Sequence, residues 1–332
     1  MNNMKRTTII LMALIMLLPA ALCGCAAKQP ATPISKTRLL LDTVCTISMY
    51  EPYDSELLTE ALDLCAAYEA QFSRTVPGSD VWRINNAGGR PVAVGPDTLE
   101  LIGIGLEYCA LSGGLFDITI GRLSSLWDFG GNPAVPSPSD IESALKTIDY
   151  RQITITEGTV QLGNPEAMLD LGGIAKGYIA EKLAGFLKEK GVKGAIIDLG
   201  GNLVAVGAKP DGSPWNIGVE KPFGRSGETI GVISTGQASI VTSGTYERQF
   251  TENGKLYHHI LDPTTGMPAE SGITSATVVT ESSAVGDAFS TIPVLVGREK
   301  TMDLIEQVPG LKGIILILDS GEIIKHGDID FN

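Results

Sequence analysis

Apolar side chains in residues 55–72 recur at Leu58, Ala61, Leu62, Cys65 and Tyr68, which is the spacing of one helical face. Ahead of them, residues 38–50 (RLLLDTVCTISMY) are rich in β-branched and apolar residues and predict a strand. Pro96-Asp97 opens a second helix that runs to about Leu111 and stops at Gly113-Gly114. Residues 139–148 predict a short helix, and 152–156 and 159–162 predict short strands. Residues 168–171 predict a strand that enters Gly172-Gly173 and then a helix. That helix has Ile179, Leu183, Phe186 and Leu187 on its apolar face and ends at Gly191. Another strand is predicted over 195–199. The C-terminal half predicts strands over 215–220, 229–234, 239–242, 246–251, 256–261 and 274–280. A helix from about Ser283 carries Asp287 and Thr291 and is bounded by Pro293. A further helix spans 298–307, and a hairpin over 316–325 turns at Ser320-Gly321. Strands and helices do not alternate, so a doubly wound parallel sheet is disfavoured. The order predicts an α+β fold with mixed or antiparallel sheets and flanking helices. No internal repeat occurs and no linker divides residues 38–332, which read as a single large domain.

The N-terminus changes the picture. Lys5 and Arg6 precede an apolar run from Ile9 to Leu18, followed by Leu22-Cys23-Gly24-Cys25. A basic start, a short apolar core and small residues before a cysteine resemble a bacterial lipoprotein signal. The run is short for a transmembrane helix, and Pro19 interrupts it; an uncleaved anchor helix is the alternative. On the lipoprotein reading, residues 1–24 are removed, Cys25 carries lipid, and residues 25–37, with Pro30 and Pro33, tether the domain. The expected location is outside the cytoplasm, on the cell membrane. Of the 332 residues, 25 are Lys or Arg and 38 are Asp or Glu, a net charge of −13. Such an acidic chain lacks the basic footprint of a sequence-independent nucleic-acid binder. Only three histidines occur (His258, His259, His326), which argues against a multi-histidine transition-metal site. Cys45, Cys65 and Cys109 are odd in number and lie in apolar segments, so they predict buried free thiols and no disulfide framework.

Five segments carry candidate chemistry. In Asp170-Leu171-Gly172-Gly173-Ile174-Ala175-Lys176-Gly177-Tyr178 a strand meets a glycine pair and then the first turn of a helix. Glycines admit a ligand close to the backbone, a helix N-terminus offers free N–H groups, and Lys176 adds charge. This is phosphate-binding equipment, or else a tight turn with a surface lysine. Leu199-Gly200-Gly201-Asn202 reads as turn chemistry. Ser243-Gly244-Thr245-Tyr246-Glu247-Arg248 reads as a ligand loop or as a plain loop before a strand. In His258-His259-Ile260-Leu261-Asp262-Pro263-Thr264-Thr265-Gly266 strand alternation turns the two histidines to opposite faces. Asp287, Ser290 and Thr291 share one side of a helix. They offer hard oxygens suited to Mg²⁺, or form a polar helix face.

In this order, together with Gly114-Leu115-Phe116-Asp117-Ile118-Thr119-Ile120-Gly121 and Leu126-Trp127-Asp128-Phe129-Gly130, these segments resemble the ApbE family of FAD:protein FMN transferases. The resemblance runs from about Arg38 to Lys325, and the lipoprotein signal fits it. It implies an ApbE-like domain and an extracytoplasmic Mg²⁺-dependent transferase. That enzyme would move FMN from FAD to a threonine or serine hydroxyl of a partner and release AMP. The implied acceptor is a flavoprotein subunit of an extracytoplasmic redox complex. By the same resemblance, Asp170 and Lys176 contact FAD, and Leu115, Phe116 and Asp117 line the flavin nucleotide site. Leu41, Thr75 and Leu261 fall where members touch FAD. Gly173 offers its carbonyl oxygen to the metal, and Asp287 and Thr291 their side-chain oxygens. Two departures stand out. Leu41-Asp42-Thr43 replaces a frequent Met-Gly-Thr, and Ser290 stands where some relatives hold a carboxylate.

The family's His-x-x-Asp-Pro places its histidine at His259, the general-base candidate, with Asp262 to orient it. An imidazole with an ordinary pKa of about 6.5 accepts a hydroxyl proton near neutrality. Two other readings stay open: an FAD pyrophosphatase that gives FMN and AMP with water as acceptor, and a lipid-anchored flavin-binding protein without catalysis.

Overall fold

The computed structural model describes residues 32–225 and 227–332. Cys25, the signal segment and the first part of the tether lie outside them. The tether expected through Thr37 overlaps the first strand, β1 (Ile34–Leu40), which pairs antiparallel with β2 (Thr43–Met49). In β2, Cys45, Ile47 and Met49 are fully buried at alternate positions, as the pleat requires. Helix α1 (Ser55–Phe72) follows, capped by Asp54, whose side chain accepts the Glu56 N–H. Next come α2 (Asp80–Asn85), β3 (Val92–Ala93), α3 (Pro96–Leu111), α4 (Gly121–Trp127) and α5 (Pro138–Leu145). Strands β4 (Ile153–Thr156) and β5 (Thr159–Leu162) precede α6 (Ala175–Glu189). Then follow β6 (Gly194–Leu199), β7 (Asn202–Gly207), β8 (Trp215–Glu220), β9 (Thr229–Thr235) and β10 (Ala238–Gly244). The hairpin of β11 (Gln249–Glu252) and β12 (Lys255–His258) leads to β13 (Ile273–Thr280). Helices α7 (Ser283–Val296) and α8 (Arg298–Leu304) and strands β14 (Leu311–Leu318), β15 (Ile323–Gly327) and β16 (Asp330–Phe331) complete the described chain.

Eight strands form one antiparallel sheet in the order β1-β2-β6-β7-β10-β13-β14-β15. Helices α1, α6 and α7 pack on one face. On the other face, Ile240, Val279 and Ile315 of the sheet meet Val219 and Ile233 of the small sheet β16-β9-β8. Strand β13 is therefore covered on both sides, and every one of its residues is buried. The α+β class, the antiparallel sheets and the flanking helices agree with the sequence pattern. Cys45, Cys65 and Cys109 are buried free thiols.

Several elements differ from expectation: the single strand expected over 38–50 is broken at Leu41-Asp42 into β1 and β2, the strand expected over 256–261 ends at His258, and α2, α4 and β7 were not expected. Two further differences have a clear physical reason. The strand expected over 168–171 does not form. Met168 makes only an isolated parallel bridge to Ile120, reinforced by the Asp170 N–H to the Ile118 carbonyl at 2.8 Å. A lone bridge has no second neighbour with which to propagate a ladder. Helix α7 does not stop at Pro293 but runs through it to Val296. Only one backbone hydrogen bond is lost there, and burial of Ile292, Pro293 and Val294 holds the last turn.

Candidate active site

One end of the large sheet opens into a cavity of about 1110 Å³. That is at the upper end of small-molecule sites, which span roughly 300–1,000 Å³. Twelve residues that the sequence nominates for FAD, metal or proton transfer line it, and Ser290 and Asp262 do not: Leu41, Thr75, Leu115, Phe116, Asp117, Asp170, Gly173, Lys176, His259, Leu261, Asp287 and Thr291 are the twelve. They come from distant parts of the chain. The β1–β2 turn carries Leu41 in a left-handed conformation, and its N–H is held by Glu69 Oε1 at 2.7 Å. Beside it lies the β6–β7 turn, where Gly200 and Gly201 have φ of 63° and 87°. A Cβ on Gly200 would stand 2.1 Å from Thr43 Oγ1, so the two turns meet only because this residue is glycine.

The Asp170–Gly177 segment works differently from a phosphate crown. The Ile174 and Ala175 N–H groups both donate to the Leu171 carbonyl, at 3.0 and 2.8 Å. Gly172 N–H donates to Asp170 Oδ1 at 2.9 Å. Gly177 N–H reaches across to Asp287 Oδ2 at 2.7 Å, away from the Gly173 carbonyl four residues back that a regular helix would offer it. One N–H of the helix N-terminus thus binds a carboxylate of the protein itself, while the Gly173 and Lys176 N–H groups have no protein acceptor among the described residues. The same switch leaves the Gly173 carbonyl without a backbone donor among the described residues. Gly177 permits it, because a Cβ there would lie 2.2 Å from the Ser283 carbonyl oxygen and 2.5 Å from Asp287 Cβ.

Around this core the charges are unbalanced. The lining holds four cationic side chains (Arg74, Lys176, Lys221, Arg248) against seven carboxyls (Asp42, Glu69, Asp117, Asp170, Glu220, Glu247, Asp287). Some of the acids are already engaged. Asp170 pairs with Arg74 at 3.2 Å. Asp117 turns its carboxylate inward, accepting from Thr119 N at 2.8 Å, Thr119 Oγ1 at 2.7 Å and Tyr150 N at 3.0 Å. It therefore borders the cavity as the anchor of its loop, and burial raises its pKa despite those bonds. Asp287 is 3% exposed, and burial pushes its carboxyl up while Lys176 opposes the shift. A buried carboxylate, a free backbone carbonyl and the Thr291 hydroxyl form a donor set of hard oxygens only. That set suits Mg²⁺, which keeps several waters and leans on substrate phosphate. Among the described residues no cluster of three or more His, Cys, Asp or Glu competes for a metal. The residues present fit the cation.

His259 and His258 do face opposite ways. His258 is buried, with Nε2 at 3.1 Å from the Ala269 carbonyl, while His259 lines the cavity and its Nδ1 has no partner. The pKa expected near neutrality does not hold for His259. Burial, then the Arg248 and Lys176 charges, push it down to about 3. Asp262 does not orient it, because its Oδ1 accepts from Thr264 N and Thr264 Oγ1, both at 2.7 Å, and closes the turn. Ser290 is fully buried outside the lining, so it is not a cavity ligand.

Among the cavity residues that were not nominated individually, Arg74, Glu247 and Phe223 stand out. Arg74 sits next to Thr75 and is fixed by Asp170 and Ser125. Glu247 lines the cavity and is partly solvent-exposed, and loss of hydration raises its carboxyl to about 7 against the pull of Lys176. Phe223 is 58% exposed at the rim and meets Tyr246 edge-on at 6.0 Å. Glu247 lies in the SGTYER segment that the sequence did mark. For Arg74 and Phe223 the sequence offers no periodic or motif signal.

The fold and site thus define a class: an enzyme with an antiparallel α+β sandwich and a cleft of hard oxygens and cationic side chains sized for a large phosphate ester. The sequence matches the ApbE family over residues 41–315, and the chain belongs to that family. It is 32% identical to the FAD:protein FMN transferase of Treponema pallidum (strain Nichols), over 93% of this chain and 92% of that protein. It is 33% identical to one from Klebsiella pneumoniae (strain 342), over 89% of this chain and 95% of the relative. Among solved structures, the ApbE protein of Thermotoga maritima superposes with a TM-score of 0.81 at 31% identity, covering 89% of this chain and 97% of that one. The flavin transferase ApbE of Vibrio cholerae gives 0.79 at 28% identity, covering 90% and 97%.

Proposed function

We propose that this chain is a Mg²⁺-dependent FAD:protein FMN transferase that modifies a threonine or serine hydroxyl of an extracytoplasmic flavoprotein and releases AMP. The observation that carries the reading is the one cavity that gathers twelve of the nominated residues, with the Gly173 carbonyl freed and Asp287 anchored by one hydrogen-bond switch. In the reaction, the acceptor hydroxyl oxygen bonds to the FMN-side phosphorus. The bond from that phosphorus to the bridging oxygen breaks, AMP leaves with the electron pair, and the hydroxyl proton goes to His259. A divalent cation, held by the Gly173 carbonyl, Asp287 and Thr291, supplies charge neutralisation at the pyrophosphate when bound. Lys176, which electrostatically opposes the rise in the Asp287 pKa, would add positive charge at the same phosphates. His259 is neutral at physiological pH and so is already in the base form. The pyrophosphate would offset Arg248 and Lys176, the two cations that depress its basicity. The half-buried Leu41, the buried Leu261 and Phe116 supply apolar wall for the ring systems. The lipid anchor at Cys25 would keep the enzyme on the outer face of the membrane, where its acceptor lies.

Incubation with FAD and Mg²⁺, with and without an acceptor protein, tests the reading. Transfer to the acceptor supports it. FMN and AMP formed equally without acceptor would indicate a pyrophosphatase, and no turnover a binding protein. Asp287→Ala should abolish transfer and its Mg²⁺ dependence, since it removes the one carboxylate in the proposed cation site. Wild-type transfer by this variant at ordinary Mg²⁺ overturns the cation assignment.

A further inference from the structure

Three hydroxyls and one carbonyl form a continuous hydrogen-bonded chain between β10 and α7. Ser290 Oγ lies 3.0 Å from the Asp287 carbonyl oxygen. Ser243 Oγ lies 2.7 Å from Ser290 Oγ and 3.2 Å from Thr291 Oγ1. Each hydroxyl has a single hydrogen to give. A carbonyl only accepts, so the Ser290 hydrogen goes to Asp287. Ser290 must then accept at its contact with Ser243, which uses the Ser243 hydrogen. Ser243 can only accept from Thr291, and the Thr291 hydrogen therefore points at β10.

The order of residues in the helix makes this possible. A threonine in a helix ordinarily returns its hydroxyl to the carbonyl three or four residues back. For Thr291 the carbonyl four back belongs to Asp287, and Ser290 already occupies it. Thr291 and Ser243 both line the cavity, whereas Ser290 is fully buried behind them.

We propose that Ser243 is a positioning residue: the one-way chain Thr291 → Ser243 → Ser290 → Asp287 carbonyl fixes the Thr291 hydroxyl with its hydrogen averted and only lone pairs available to a divalent cation. This rests on Asp287 and Thr291 as cation ligands. Ser290, which touches no cation, acts through the same chain. The relay ends on the backbone carbonyl of Asp287, whose side chain is held separately by the Gly177 N–H.

The test is direct Mn²⁺ binding to the purified full chain, followed by the electron paramagnetic resonance of free Mn²⁺, with melting curves as a check on folding. Loss of a group that orients a metal ligand typically costs about 10–100-fold in affinity. Ser243→Ala should weaken Mn²⁺ binding on that scale, and Ser243→Thr, which keeps the hydroxyl, should restore it. Ser290→Ala opens the Asp287 carbonyl to the Thr291 hydrogen and should also weaken binding. In a Thr291→Val background, Ser243→Ala should cost nothing further. If Thr291→Val weakens Mn²⁺ binding but Ser243→Ala and Ser290→Ala bind as wild type does, the relay is wrong and the cation site stands. If Thr291→Val itself binds as wild type does, the cation assignment fails and the relay with it.

Discussion

Replacing Gly177 by alanine probes the contact on which the site depends. The new Cβ would stand 2.2 Å from the Ser283 carbonyl oxygen, where ordinary contact begins at 3.4 Å. Helices α6 and α7 must therefore part by about 1.2 Å, the difference between those distances. Overpacking of this kind costs about 1–3 kcal/mol. The same displacement breaks the Gly177 N–H bond to Asp287 Oδ2, and a hydrogen bond to a charged group contributes about 1.5–3 kcal/mol. One movement causes both losses, so they do not simply add, and about 2–4 kcal/mol is expected. At a few degrees per kcal/mol for a chain of this size, the midpoint of thermal unfolding should fall by roughly 4–10 °C. The released N–H can return to the Gly173 carbonyl, removing a proposed cation ligand. The Mg²⁺ concentration for half-maximal transfer should then rise about tenfold or more. Gly185→Ala on the same helix is the control. A Cβ there meets nothing within 4 Å, so it should be neutral or stabilising by up to about 1 kcal/mol. A Gly177→Ala protein with the wild-type melting point and Mg²⁺ dependence would refute the argument.

His259→Ala should lower single-turnover FMN transfer by about 10²–10⁴-fold and leave FAD affinity nearly unchanged; equal losses in both would make it a binding residue. His258→Ala should leave the chemistry intact but destabilise by about 1–3 kcal/mol, because it strands the Ala269 carbonyl; an unchanged melting point contradicts this. Glu247 has its carboxyl raised from 4.5 to about 7, so the folded ligand-free chain keeps a proton that the unfolded chain releases. Its contribution to stability therefore falls as pH climbs between those values. The melting point of Glu247→Gln should gain on wild type across that window, and a constant difference rules the reasoning out. Cys25→Ser should move the protein from the membrane fraction to a soluble or unprocessed pool; mature protein with an unmodified Cys25 would defeat the anchor.

Much of this protein is local and therefore legible in the chain. The α1 face, the alternation in β2 and the glycine-ended helix α6 depend on side-chain periods of 3.6 and 2, which neighbouring residues reveal. His258 and His259 do part, although β12 ends at His258 and the alternation expected from a strand over 256–261 does not continue through His259. Segment chemistry pointed to stretches that fold around one cavity, because glycine pairs, hydroxyls and carboxylates leave a signature wherever the backbone must approach a ligand. What the chain alone did not determine were partners distant in sequence. At the α6 N-terminus, one of the N–H groups offered to a ligand, that of Gly177, is taken by Asp287, 110 residues further on. Asp262 looked like a partner for the histidine, yet the turn it closes uses its carboxylate. The His259 pKa is moved by burial and by Arg248 and Lys176, and Lys176 approaches it only through folding. Hydrogen bonds are short-ranged and each donor serves few acceptors, so which group wins is decided by packing. Desolvation likewise depends on the whole wall of the cavity, and that wall exists only once the sheet, the two turns and helices α6 and α7 have come together.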